Sequence, residues 1–166
     1  MAREIYNYRM LNELARVVTN YSPNKAIDFG THIGTTVRTI ANALKPGATV
    51  YTYDKGGDNK DVGNIRYRDV DFFEWINRDE IEHFDLLYID IHNDGDIIKL
   101  THEKLYDRIQ AGIPILFEGG TPERDGIRPE ATWMLRKTPM HPLKDILNYE
   151  ILADDFPGIS MFKVNE

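Results

Sequence analysis

The chain has no cysteine among its 166 residues, so disulfides and thiolate metal sites are excluded. No apolar run approaches the length needed to span a bilayer, which argues against a membrane partner. The first residues carry no signal-peptide pattern, and a cytoplasmic address is the expectation. Excess positive charge is missing as well. Net charge is −7, and no basic stripe is visible, which disfavours a nucleic-acid partner. Two common phosphate-binding signatures are also lacking. A G-x-G-x-x-G dinucleotide fingerprint would need glycines at 30, 32 and 35, where the chain has Gly30, His32 and Thr35. The Gly-Lys-Ser/Thr ending of a P-loop does not occur after this turn.

What remains is ordinary globular material, 42% hydrophobic and 28% charged. The length fits a single domain over 1–166. Residues 4–20 predict an amphipathic helix with Ile5, Tyr8, Leu11, Leu14 and Val18 on its apolar stripe. Strands are expected at Lys25–Phe29, Ala48–Tyr53, Asn64–Arg68, Phe84–Ile89 and Ile113–Phe117. Helical patterns fall between them: Val37 to Leu44, a short one at Phe72–Asn77, and Asp94–Gln110 with Ile97, Leu100 or Thr101, Leu105 and Ile109 inward. Tyr149–Leu152 and Ile159–Val164 close the chain as two strands joined through Pro157-Gly158. The alternation implies an α/β fold: a doubly wound, mostly parallel seven-stranded sheet, helices on both faces, and a C-terminal antiparallel hairpin. The unbroken apolar run at Phe84–Ile89 suits a parallel strand buried on both faces.

Ligands of such sheets bind beyond the carboxyl ends of the strands. Acids gather there: Asp28, Asp54, Asp71, Asp90 and Glu118, at or just after successive strand ends. Asp28-Phe29-Gly30-Thr31-His32-Ile33-Gly34-Thr35-Thr36 reads as strand, tight turn and helix start. A carboxylate such as Asp54 accepts two hydrogen bonds from a vicinal diol, and Asp71 can accept from an exocyclic amine beside Phe72. Each acid taken singly also fits a helix cap or a solvated loop.

This order of motifs resembles the class I S-adenosylmethionine (SAM)-dependent methyltransferases, closest in pattern to small-molecule and sugar O-methyltransferases of macrolide-sugar and catechol type. Residues 28–36 resemble their first motif, Val50–Asp54 the second and Arg68–Phe72 the third. The resemblance implies a Rossmann-like fold with SAM as cofactor, held by Asp28, Gly30, Thr31, His32, Gly34, Thr35, Asp54, Asp71 and Phe72. It implies methyl transfer to a hydroxyl of a small molecule, a sugar or nucleotide sugar among the candidates. His92, two residues after Asp90, is the candidate base, with Asp90 as a second catalytic candidate. The metal-dependent branch implies Mg2+ on Asp90 and Glu118. Gly119 departs from its third ligand, for which Asp94 or Asp125 could substitute. His83, His102 and His141 read as surface or packing residues.

Residues 119–144 lack a clear pattern and are expected to overhang the site as a lid. There Arg124, Arg128, Arg136, Lys137 and Lys144 outnumber Glu123, Asp125 and Glu130, which suits an anionic substrate. Trp133 is a candidate for stacking on a sugar. A neighbouring subunit of a homo-oligomer could complete the pocket. The rival readings are a non-catalytic nucleotide- or SAM-binding module, an NAD-dependent enzyme and, weakest, a nucleic-acid methyltransferase.

Overall fold

The computed structural model describes residues 8–56, 59–126 and 138–165. Seven strands form one sheet in the order β3-β2-β1-β4-β5-β7-β6. They are β1 (Lys25–Phe29), β2 (Thr49–Tyr53), β3 (Ile65–Arg68), β4 (Leu86–Ile89), β5 (Ile115–Glu118), β6 (Tyr149–Ala153) and β7 (Ile159–Phe162). The first five are parallel, and β7 runs antiparallel between β5 and β6. The expected α/β sheet and closing hairpin are therefore present. Strand order turns around between β1 and β4, which places a crevice at their carboxyl ends.

Both faces of the sheet are covered. Ala26, Val50, Leu86, Tyr88 and Leu116 face α1 (Tyr8–Tyr21) and α2 (Thr35–Ala43), which contribute Met10, Leu14, Val17, Val37 and Ile40. Ile27, Phe29, Leu87, Ile89, Ile115 and Phe117 face the opposite layer. That layer is built from α3 (Phe72–Ile76), α4 (Gly95–Lys104) and α5 (Tyr106–Gln110), through Phe72, Trp75, Ile98 and Ile109. Every residue of β4 is buried, as its apolar run predicts.

Three expectations need correction. The buried stripe of α1 is Met10, Leu14, Val17 and Val18, so the helix is rotated from the predicted face and leaves Tyr8 84% exposed. Ile5 lies outside the described residues. The single helix expected over 94–110 is two, because Leu105 leaves helical geometry (φ −108°, ψ 16°) to bury its side chain. On α4 the core residue is Ile98, with Ile97 only packed against the core's edge. The stretch after β5 is also more regular than expected. It forms α6 (Pro122–Asp125), a 3-10 turn at His141–Leu143 and α7 (Lys144–Leu147). Arg128, Glu130, Trp133, Arg136 and Lys137 of the expected lid lie outside the described residues.

Candidate functional site

A cleft of about 230 Å³ opens where β1, β2 and β4 end, lined by residues that include Gly30, His32, Asp54, Asp71, Asp90 and His92. Seven of the residues singled out from the sequence, Phe72 included, thus share one cavity. Phe29, Tyr53, Lys55, Val70, Phe73 and Ile91 complete the wall. They carried no sequence signal beyond adjacency to a strand end.

The turn after β1 is fixed by close backbone approach. Gly30 has φ +93°, and its N–H donates to Tyr53 O at 2.9 Å. A Cβ there would lie 1.7 Å from Asp90 O, so only glycine lets the β1 turn touch the β4 rim. Gly34, at φ +86°, is the N-cap of α2, and its N–H donates to Thr31 O at 2.7 Å. The His32 N–H donates to Asp54 Oδ2 at 3.3 Å, which ties the turn to the acid ending β2.

Two histidines stand at the mouth. His32 (φ +46°) and His92 (φ +63°) both hold left-handed backbone, a conformation costly for residues with a Cβ. Their rings sit edge to face with centroids 6.0 Å apart. His32 Nε2 lies 3.2 Å from Asp90 O, within hydrogen-bond reach. His92 is exposed. Nothing in the sequence announced the strained backbone at either histidine.

Asp28 sits differently from its neighbours. It is fully buried beneath the turn and does not line the cleft. Thr36 Oγ1 donates to its Oδ1 at 3.2 Å, and Thr52 Oγ1 donates to its Oδ2 at 2.7 Å. Burial pushes its carboxyl up to about 7, against the two hydroxyl donors, and the charges of Asp90 and Asp54 add to the rise. Because the Thr52 hydroxyl is spent on Asp28, the 2.7 Å contact between Thr31 and Thr52 has Thr31 as donor. Thr31 and Thr35 likewise lie off the cleft lining; Thr31 supports the turn and Thr35 opens α2.

Asp71 caps α3, its Oδ2 accepting from the Glu74 N–H at 3.2 Å, and also faces the cleft. Phe72 is 3% exposed and packs edge-on against Phe29 at 5.2 Å. The more exposed ring on this wall is Phe73. Asn93 is buried and bridges two strand ends, its Nδ2 donating to Ile89 O (2.8 Å) and Glu118 O (2.9 Å). His83 is a surface residue beside Asp85, and His102 packs against Phe162, as the sequence suggested.

The Mg2+ expectation does not fit the donors. Glu118 is 3% exposed, and its Oε1 accepts from Arg124 Nε at 2.6 Å. Gly119 offers no side chain. Asp94 caps α4 through Oδ1, which accepts from the Ile97 N–H, and both oxygens of Asp125 accept backbone N–H groups, from Met140 and His141. Among the described residues no group of three or more His, Asp or Glu side chains is placed to hold a metal ion.

Neither a family model nor a curated protein sequence matches the chain. Solved structures do. An O-methyltransferase from Bacillus cereus in complex with S-adenosylhomocysteine (SAH) is 14% identical. It matches over 94% of this chain and 80% of its own, with a TM-score of 0.66. An SAH-bound methyltransferase from Podospora anserina is 12% identical over 94% of this chain and 78% of its own (TM-score 0.64). An O-methyltransferase of tomaymycin synthesis from Streptomyces achromogenes, in complex with SAM, is 10% identical over 96% and 82% (TM-score 0.61). The chain has the Rossmann-like fold that these SAM-dependent methyltransferases share.

Proposed function

We propose that the chain is a SAM-dependent methyltransferase acting on a hydroxyl of a small molecule. The observation that carries this is the cleft itself. The Gly30 turn, Asp54, Asp71 and the Asp90–His92 segment all meet in it, at the carboxyl rim of a methyltransferase fold. In this reading Asp54, at the end of β2, accepts from a ribose diol, and Asp71 accepts from the adenine amine beside Phe72 and Phe73. The acidic rim, Asp90 included, suits a cationic sulfonium.

When bound, the cofactor would supply an electrophilic methyl group on that sulfonium: an O–C bond to the acceptor would form as the S–C bond breaks in line and a neutral thioether leaves. The chain's part is alignment and proton removal. His92, exposed at the mouth and held by its strained backbone, takes the hydroxyl proton on its imidazole. A hydroxyl of an anionic, phosphate-bearing sugar is the acceptor we favour, from the basic excess of residues 119–144.

Calorimetry with SAH, followed by methylation assays on a panel of sugars and phenols, tests the reading. SAH should bind, and His92→Ala should lower turnover about a hundredfold or more with cofactor affinity unchanged. No heat with SAH or SAM while another nucleotide binds tightly would overturn it. SAH binding with no acceptor methylated would move the chain to a non-catalytic binding module.

A further inference from the structure

The mismatch between the acidic rim and a metal site has a positive side. Asp90 and Glu118 directly follow the paired residues Ile89 and Phe117 of adjacent parallel strands, which run about 4.8 Å apart. Both acids are buried, Asp90 to 7% and Glu118 to 3% exposure, and carboxylates at such neighbouring strand ends call for a compensating cation or a proton. A guanidinium is already there. Arg124, its side chain 12% exposed, donates from Nε to Glu118 Oε1 at 2.6 Å. Its approach is built into the chain. Thr121 Oγ1 caps α6 by accepting the Arg124 N–H at 3.1 Å, and Pro122 opens that helix. Arg124 Cγ then lies 3.1 Å from where a Cβ on residue 119 would be, so the side chain crosses the backbone at a position that has no Cβ. The missing third ligand and the presence of the arginine are thus linked: the bare backbone at Gly119 admits both the Met140 methyl, 2.4 Å from where a Cβ would be, and the Arg124 chain on its way to Glu118.

We propose that Arg124 takes the place of a divalent cation between Asp90 and Glu118, so that the acceptor side of the cleft works without metal. The proposal rests on the methyl-transfer reading for the meaning of that side of the cleft. A fixed guanidinium neutralises Glu118 and cannot be removed by a chelator. It also spends on Glu118 a cation that the sequence assigned to a positively charged lid.

The test titrates Mn2+ into the SAH-loaded chain, with bound metal read by electron paramagnetic resonance. The wild type should bind no stoichiometric Mn2+ at millimolar concentration, and SAH affinity should be the same with EDTA as with Mg2+. Arg124→Met should free Glu118 and acquire a Mn2+ site. Adding Glu118→Gln to that variant should weaken the new site about tenfold or more. One Mn2+ bound per wild-type chain and lost in Glu118→Gln would overturn the proposal. So would an Arg124→Met chain that folds, binds SAH and gains no metal, because the two acids would then not converge on the space that Arg124 fills. Should Arg124→Met fail to fold, Arg124→Lys keeps a cation toward Glu118 and is expected to stay metal-free, and the wild-type titration decides. Failure of SAH itself to bind would instead remove the underlying methyl-transfer reading.

Discussion

Two single residues decide how the rim behaves. Gly30→Ala would drive a Cβ onto the Asp90 carbonyl, and either the turn or the end of β4 must move. SAH binding should then be lost in calorimetry, even where circular dichroism shows the sheet intact. Asp28 answers to pH. Its folded-state carboxyl, at about 7, lies well above the ordinary carboxylate value of 3.8, so the folded chain holds a proton that the unfolded chain releases. Stability should fall as pH rises from about 4 to 7 and level off above, by something on the order of 4 kcal/mol at full burial. Asp28→Asn keeps the size and removes the proton, so its chemical denaturation midpoints should lose that slope. A variant that retained the slope would place the titrating group elsewhere. Position 28 was visible in the sequence as an acid at a strand end. Its role under the turn was not, because that depends on Thr52 arriving from a neighbouring strand.

At the level of elements, strands were easier to read than helix faces. A strand's apolar run and its terminal acid are local, so β1, β2 and β4 were legible to within a residue or two. The buried face of α1 depends on how the helix lies across the sheet, and Met10 and Val17 displaced Tyr8 and Leu11 from the expected stripe. The break at Leu105 is likewise a packing outcome. Helix α3 offers a separation of two roles. Asp71 both caps it and faces the cleft, and asparagine caps about as well as aspartate. Asp71→Asn should leave thermal stability within about 0.5 kcal/mol while lowering SAH affinity. Asp71→Ala should lower both, costing about 1 kcal/mol through the lost cap. Equal SAH affinity in Asp71→Asn would confine the residue to capping.

For the molecule as a whole, a ligand held by the ends of three strands should stabilise the entire fold. SAH at a hundred times its dissociation constant would add about 2.7 kcal/mol. For a chain of this size that is about 5–10 °C in melting temperature. NAD at the same concentration should shift it little, since the turn lacks the second and third glycines of a dinucleotide site. Fold class was legible from alternation alone, and the place of the cleft from Asp54, Asp71 and Asp90 at strand ends, while Asp28 and Glu118 lie off its lining. Arg124 was not legible as a rim residue, since its reach to Glu118 depends on the short helix after Thr121 and on the bare backbone at 119.

The order β5-β7-β6 also governs assembly. β6 is made first but joins the sheet only through β7, and Phe162 of β7 stacks on Phe117 at 5.0 Å. During translation β6 must therefore wait, its edge unzipped, until residues 159–162 leave the ribosome. A protease nick in the bend at 155–158 would sever the short covalent link between β6 and that interior strand.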